Sequence, residues 1–130
     1  MTLACDVSLA ARIERAEARL LADAVARVGL RVGERGDVLS RPLAGGIAAF
    51  AEPGSPLNKV AGLGFDGALP ETELEEVEKG FARRECPVRV ELSSLADPAL
   101  GALLTRRGYV LEGFEDVLGL ELPARDLPPI

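Results

Sequence analysis

The stretch "VAGLGFDGALPETELEEVEKG", residues 60–80, passes from an apolar run through three glycines into a strongly helical segment. That is the outline of a phosphate-binding loop, because the first amides of a helix lack partners and the helix dipole is positive there. Around this helix start, however, the chain places Asp66, Glu71, Glu73, Glu75 and Glu76. Carboxylates satisfy the same donors internally, and each unscreened one within about 4 to 6 Å opposes a second anion by on the order of 1 kcal/mol. The stretch therefore reads as a strand, its exit turn and a helix closed by the chain's own acids. Thr72 and Glu75 have the spacing of a capping box, and Leu74, Val77 and Phe81 form the apolar stripe.

Upstream, "EPGSPLN" (residues 52–58) separates two apolar runs, 46–51 and 60–65, and its prolines and glycine force a turn between neighbouring strands. Before them, Ser8 or Asp6 caps a first helix ending at Gly29, with Leu9, Ile13, Ala16, Leu20, Ala24 and Val28 at helical spacing. Residues 32–42 read as a loop with a short strand at Val38 and Leu39. Downstream, "VRVEL" (88–92) alternates as a strand with one buried face, and Asp97-Pro98 opens a short helix that Gly108 stops. Residues 109–111 and 117–122 read as a closing hairpin about Glu112, Gly113 and Phe114. The order predicts an α/β (α+β) fold with a mixed, mostly antiparallel sheet flanked by helices, one domain over 1–122 and a Pro-rich tail or linker over 123–130.

Composition narrows the function. The 130 residues carry a net charge of −6 without a basic stripe, which opposes a nucleic-acid partner. No apolar run reaches the roughly 18 residues of a membrane span, and no basic and apolar leader follows Met1, so a cytoplasmic address is expected. Cys5 and Cys86 lack metal or redox spacing and read as reduced thiols. Histidine is absent, which removes the usual general base, the usual zinc ligand and every His-containing dyad, and no metal site is expected.

Candidate residues are therefore few. Glu91 is a candidate base, with Arg89 beside it as a clamp, although an exposed ion pair explains both. Tyr109 is a candidate proton donor, with a core ring whose hydroxyl reaches the surface as the favoured alternative. Gly62 and Gly64, two apart, read either as a groove for an extended ligand arm or as close approach of another backbone, the latter favoured. Arg106 and Arg107 suit either a phosphate or the negative end of their own helix.

The element order, and above all "ADPALGALLTRRGYVLEGFEDVLGLEL" (residues 96–122), resembles the closing half of the GNAT superfamily of N-acetyltransferases. In that family a short helix ends in Arg/Lys-x-Gly-Phe/Tyr before a last hairpin, and Arg106, Arg107, Gly108 and Tyr109 stand in those places. More narrowly, the chain looks like the degenerate amino-terminal domain of a tandem GNAT protein. The resemblance implies acetyl-CoA at the turn after residues 60–65, with Gly62, Gly64, Arg106 and Arg107 as the positions nearest that role. The family's Arg/Gln-x-x-Gly-x-Gly/Ala pattern is lost at that turn, and Leu104 stands where many members carry the tyrosine that protonates the CoA thiolate. Asp97 replaces a frequent asparagine. The chain is thus expected to bind no cofactor and to support a second GNAT-like domain, or a second copy of itself; the alternative is a self-sufficient acetyl-CoA-dependent N-acetyltransferase with Glu91 or water as base.

Overall fold

Asp6 opens the first helix: its Oδ1 accepts the Leu9 amide at 2.8 Å, leaving Ser8 inside α1, Val7–Val32. A computed structural model describes residues 5–33, 36–120 and 122. The helix runs past Gly29 to Gly33, whose positive φ of 58° ends it. Its buried stripe is Ala10, Ala11, Ala18, Leu21 and Val25, displaced from the expected one, and Leu20 is 65% exposed. The physical reason is close approach. Gly62 lies beneath α1, where a Cβ would come within 3.2 Å of the Ala18 Cβ and 3.3 Å of the Glu14 carbonyl, so the helix turns its small residues inward.

Three antiparallel strands form the sheet in the order β1-β2-β3: Leu39–Leu43, Gly46–Phe50 and Lys59–Ala61. The short strand expected at Val38 and Leu39 is thus a five-residue edge strand, and Pro42 is accommodated because an edge leaves one side unpaired. Ala44 and Gly45, both at positive φ, make the two-residue hairpin turn into β2. The forced turn over 52–58 is closed by Asn58, the buried polar side chain of the core. Its Oδ1 accepts the Ala51 amide at 2.7 Å, and its Nδ2 donates to the Glu52 carbonyl at 2.8 Å.

β2 is buried on both faces, and its alternation divides the core. Ala48 and Phe50 join Val60, Leu63, Leu74, Val77 and Phe81 in one cluster. Ile47, Ala49 and Ala51 face Ala18, Leu21 and Val25 of α1 in the other. The first cluster is roofed by α2 (Glu71–Arg83) and α3 (Pro98–Arg106). The result is mixed α/β, a small antiparallel sheet between α1 and the α2–α3 pair.

Two expected caps divide. Asp97 Oδ1 accepts the Ala99 amide at 3.0 Å, and α3 closes through Gly108 at φ 90°, with Gly108 and Tyr109 donating their amides to the Thr105 and Leu104 carbonyls. The Thr72 capping box of α2 does not form. The helix begins two residues earlier than the motif requires, with Pro70 at the cap and no side-chain hydrogen bond from it.

Four expected strands are shortened or missing among the described residues. Residues 88–92 meet the sheet only at a parallel bridge between Val60 and Val90, where the Val60 amide donates to the Arg89 carbonyl at 2.8 Å and the Glu91 amide to the Val60 carbonyl at 2.9 Å. The run 60–65 leaves the ladder after Ala61, because Gly62 and Gly64 turn the backbone at φ 84° and 98°. Residues 109–111 and 117–120 form no strand pairs among the described residues, and Val110, Leu111, Val117, Leu118 and Leu120 are exposed. An isolated hairpin gains too little without a sheet edge or a core to cover. The tail assigned to 123–130 lies outside the described residues.

Candidate functional site

The exit of β3 is where the resemblance places a cofactor, and its geometry is set by glycines. A Cβ on Gly62 would meet the Gly46 Cα at 3.0 Å in addition to α1. One on Gly64 would come within 2.4 Å of the Ala96 Cβ, and the Asp97 amide donates to the Gly64 carbonyl at 3.0 Å. The two glycines therefore admit neighbouring backbone, which is the favoured of the two readings. The gap that opens where β3 and residues 88–92 part is bridged again at Gly64 and Asp97.

Beyond the turn, the acids are not a bare ring. Asp66 accepts from Arg15 at 3.2 Å, Glu71 from Arg107 at 3.0 Å, and Glu73 lies 3.9 Å from Arg41. Lys79 stands 3.7 Å from Glu75 and 3.6 Å from Glu76. Two expectations are corrected here: carboxylates do not occupy the first amides of α2, and their charge is offset pairwise by arginine and lysine. What argues against an acetyl-CoA arm is steric. Ala96 fills the space beside Gly64, which opposes the reading of Gly62 and Gly64 as a groove for a ligand arm.

Glu91 is held by Lys59, whose Nζ donates to its Oε1 at 2.8 Å. Arg89 points to solvent and forms no ion pair among the described residues, so the expected pairing of the two is replaced by one across the bridge from β3. Glu14 of α1 shares this neighbourhood, close enough to feel both charges. Burial pushes its carboxyl above the ordinary value; the Gly62 backbone and Lys59 oppose that rise, while Glu17 and Glu91 add to it. Glu14 was not legible as a site residue, because it lies in a run of alternating charges that reads as a solvated face.

The second polar centre joins α2 to the end of α3. Arg107 donates through Nη2 and Nε to the two carboxylate oxygens of Glu78, and through Nη1 to Glu71. Glu71 and Glu78 lie seven residues apart, two turns along one side of α2, which lets one guanidinium span both. Tyr109 Oη donates to Glu78 Oε2 at 2.9 Å, so the hydroxyl of this half-buried ring is engaged inside the molecule. The guanidinium holds the Glu78 carboxyl below its ordinary value against the opposing effect of burial, and the phenol is a secondary aid. Burial first, and the Glu78 carboxylate second, push the Tyr109 hydroxyl well above its ordinary value. A phenol so held is a poor proton donor. Arg106 is exposed without an ion pair among the described residues, so the two arginines do not converge on a phosphate.

Cys5 and Cys86 are free thiols. Among the described residues no group of three His, Cys, Asp or Glu side chains is placed to hold a metal ion, and no helix is long and apolar enough to cross a membrane. Comparison of the chain with known protein families, with curated proteins and with solved structures returned no match.

Proposed function

We propose that the chain is a GNAT-like domain without catalysis of its own, which supports a neighbouring acetyltransferase domain by packing against it. The observation that carries this is the closure at Gly64: Ala96 packs against this glycine, and the Asp97 amide is already spent on the Gly64 carbonyl. The element order supports the family resemblance, with an antiparallel strand pair, a helix, and then a parallel neighbour to β3 reached through that helix. Leu104 is buried in the core and has no proton to give. A supporting role needs apolar surface, which residues 110–120 provide. Calorimetric titration of the chain with acetyl-CoA is expected to show no saturable heat at millimolar ligand, and saturable binding would overturn the proposal.

One observation favours a second reading, a self-sufficient acetyl-CoA-dependent N-acetyltransferase. Glu14, whose carboxyl burial pushes above its ordinary value, lies close enough to Glu91 to feel its charge, and Glu91 is paired with Lys59, so two carboxyls in different surroundings share one neighbourhood, as general acid and base chemistry requires. Under this reading acetyl-CoA raises the melting temperature, since a ligand that binds only the folded state stabilises by RT ln(1 + [L]/Kd). Glu14→Gln would then abolish turnover without changing that rise.

A further inference from the structure

Among the described residues two surfaces lack partners, and their chemistry is complementary. The first is the outer edge of residues 88–92. Val60 engages the Arg89 carbonyl and the Glu91 amide, so in a parallel ladder the Val90 amide and carbonyl face away from β3. Beside this edge Leu92 and Leu95 are each 38% exposed, and Arg89 is an exposed cation with no ion pair among the described residues. The second is residues 109–120. Val110, Leu111, Phe114, Val117, Leu118 and Leu120 are all exposed there, from 69% at Val117 to 93% at Leu118. This run carries Glu112, Glu115 and Asp116 and no cation.

We infer that residues 109–120 add as a strand to the outer edge of residues 88–92 of a second copy of the chain, and that the second copy returns the same contact. The inference deepens the supporting role proposed above, on which it rests, by naming the surface and its occupant. Strand periodicity sets Leu118 and Leu120 on one face, where they continue the apolar face begun by Val88 and Val90. The acids of the donor run meet Arg89 of the acceptor. Main-chain hydrogen bonds supply attachment and the side chains supply register, the physics of strand addition. On that face Val110, Phe114, Leu118 and Leu120 together remove roughly 400 Å² of donor surface per copy, and the two acceptor edges they cover add to it, at the small end of specific interfaces. A two-fold arrangement also closes on itself, because each copy gives one strand and receives one. The anchor is already built: the Schellman closure at Gly108 and the hydroxyl of Tyr109 on Glu78 fix where the donor run leaves the domain.

Sedimentation equilibrium of the full chain, without ligand, tests this. A particle of twice the chain mass is expected. Leu118→Ser with Leu120→Ser weakens association by about tenfold or more, since apolar positions at an interface centre dominate its energy. Arg89→Glu, at an exposed position, weakens it by a smaller factor that shrinks as salt is added. A photo-crosslinker at position 118, in a mixture of isotope-labelled and unlabelled chain, is expected to join residues 88–92 across the two isotopes. A monomer at every accessible concentration, a dimer indifferent to both variants, or crosslinks confined to one isotope would each overturn the inference. A dimer of this kind that also binds acetyl-CoA overturns only the functional proposal, and a monomer silent to acetyl-CoA overturns only the pairing.

Discussion

Residues 46–51 and residues 117–120 are similarly apolar, yet the first stretch is wholly buried and the second wholly exposed. Composition does not separate them. What does is the company each keeps: β2 has a strand on either edge and a helix layer on either face, so each of its side chains meets apolar partners. Residues 117–120 follow an unpaired segment, and among the described residues the run 88–92 joins the sheet at a single bridge. Hydrophobic burial is collective, and an apolar run is worth little until a matching surface is supplied.

The contrast is broken most severely at Phe81, which is fully buried and meets Phe50 edge-to-face with ring centroids 6.4 Å apart. Phe81→Ala removes that contact and leaves a cavity between α2 and the sheet, so urea denaturation should show a loss of about 3 to 5 kcal/mol. A loss below about 1 kcal/mol would mean that the core is as loosely held as the exposed run. Next is Gly64→Val. It forces a branched side chain into φ 98° and drives its Cβ into Ala96, and about 3 kcal/mol should be lost from strain and overpacking together. If Val is tolerated there, the gap beside Gly64 is open, and the steric case against a cofactor arm falls with it.

Smaller effects come from the latch where the two regions join. The carboxyl of Glu78 is held below its ordinary value of 4.5 by Arg107, so its contribution to stability is fully present above that pH and is lost as the pH falls below it. Glu14 has the opposite sign: its raised pKa favours the folded state at low pH, and that advantage is lost as the pH rises through the folded value. Glu78→Gln should therefore flatten the acid limb of a stability profile and cost about 1 kcal/mol at neutral pH, a modest figure because water reaches the pair. With one tyrosine and no tryptophan, phenolate absorbance reads Tyr109 alone. Its hydroxyl should remain protonated at pH 10, the ordinary midpoint, and ionise at lower pH once Glu78 is Gln. Because that pKa is raised by folding, the stability it contributes is complete below pH 10 and is lost at higher pH.

How much of this was legible follows the range of the interactions. The caps at Asp6 and Asp97, the Gly108 stop and the turn over 52–58 depend on residues within a few positions, and sequence shows them directly. The phase of α1 was not legible. Its leucines suggested one face, while the approach of Gly62, far along the chain, selects the alanine face. The candidate site failed in the same way. The acids near α2 were visible one by one, but Arg15, Arg41 and Arg107 reach them from distant elements, which turns an apparent repulsive ring into a set of pairs. Glu78 was missed because its partners lie 29 and 31 residues away, and its only local signal was the two-turn spacing to Glu71.

The smallest expected effect is the most discriminating. At concentrations low enough for the chain to be monomeric, Phe114→Ser should change stability by less than about 0.5 kcal/mol, because an 89% exposed ring has little burial to lose. The same substitution should lower the melting temperature when the protein is concentrated, since a partner that binds only the folded state stabilises it by mass action and the ring would form part of that contact. A loss that is already large when dilute would place Phe114 against its own core, and the opposition between residues 46–51 and the run after Tyr109 would dissolve. A loss absent at every concentration would leave six apolar side chains in water with no compensating contact, a surface that soluble chains rarely keep. Only a concentration-dependent loss makes the exposed run the counterpart of β2, apolar for the same reason and completed from outside the chain.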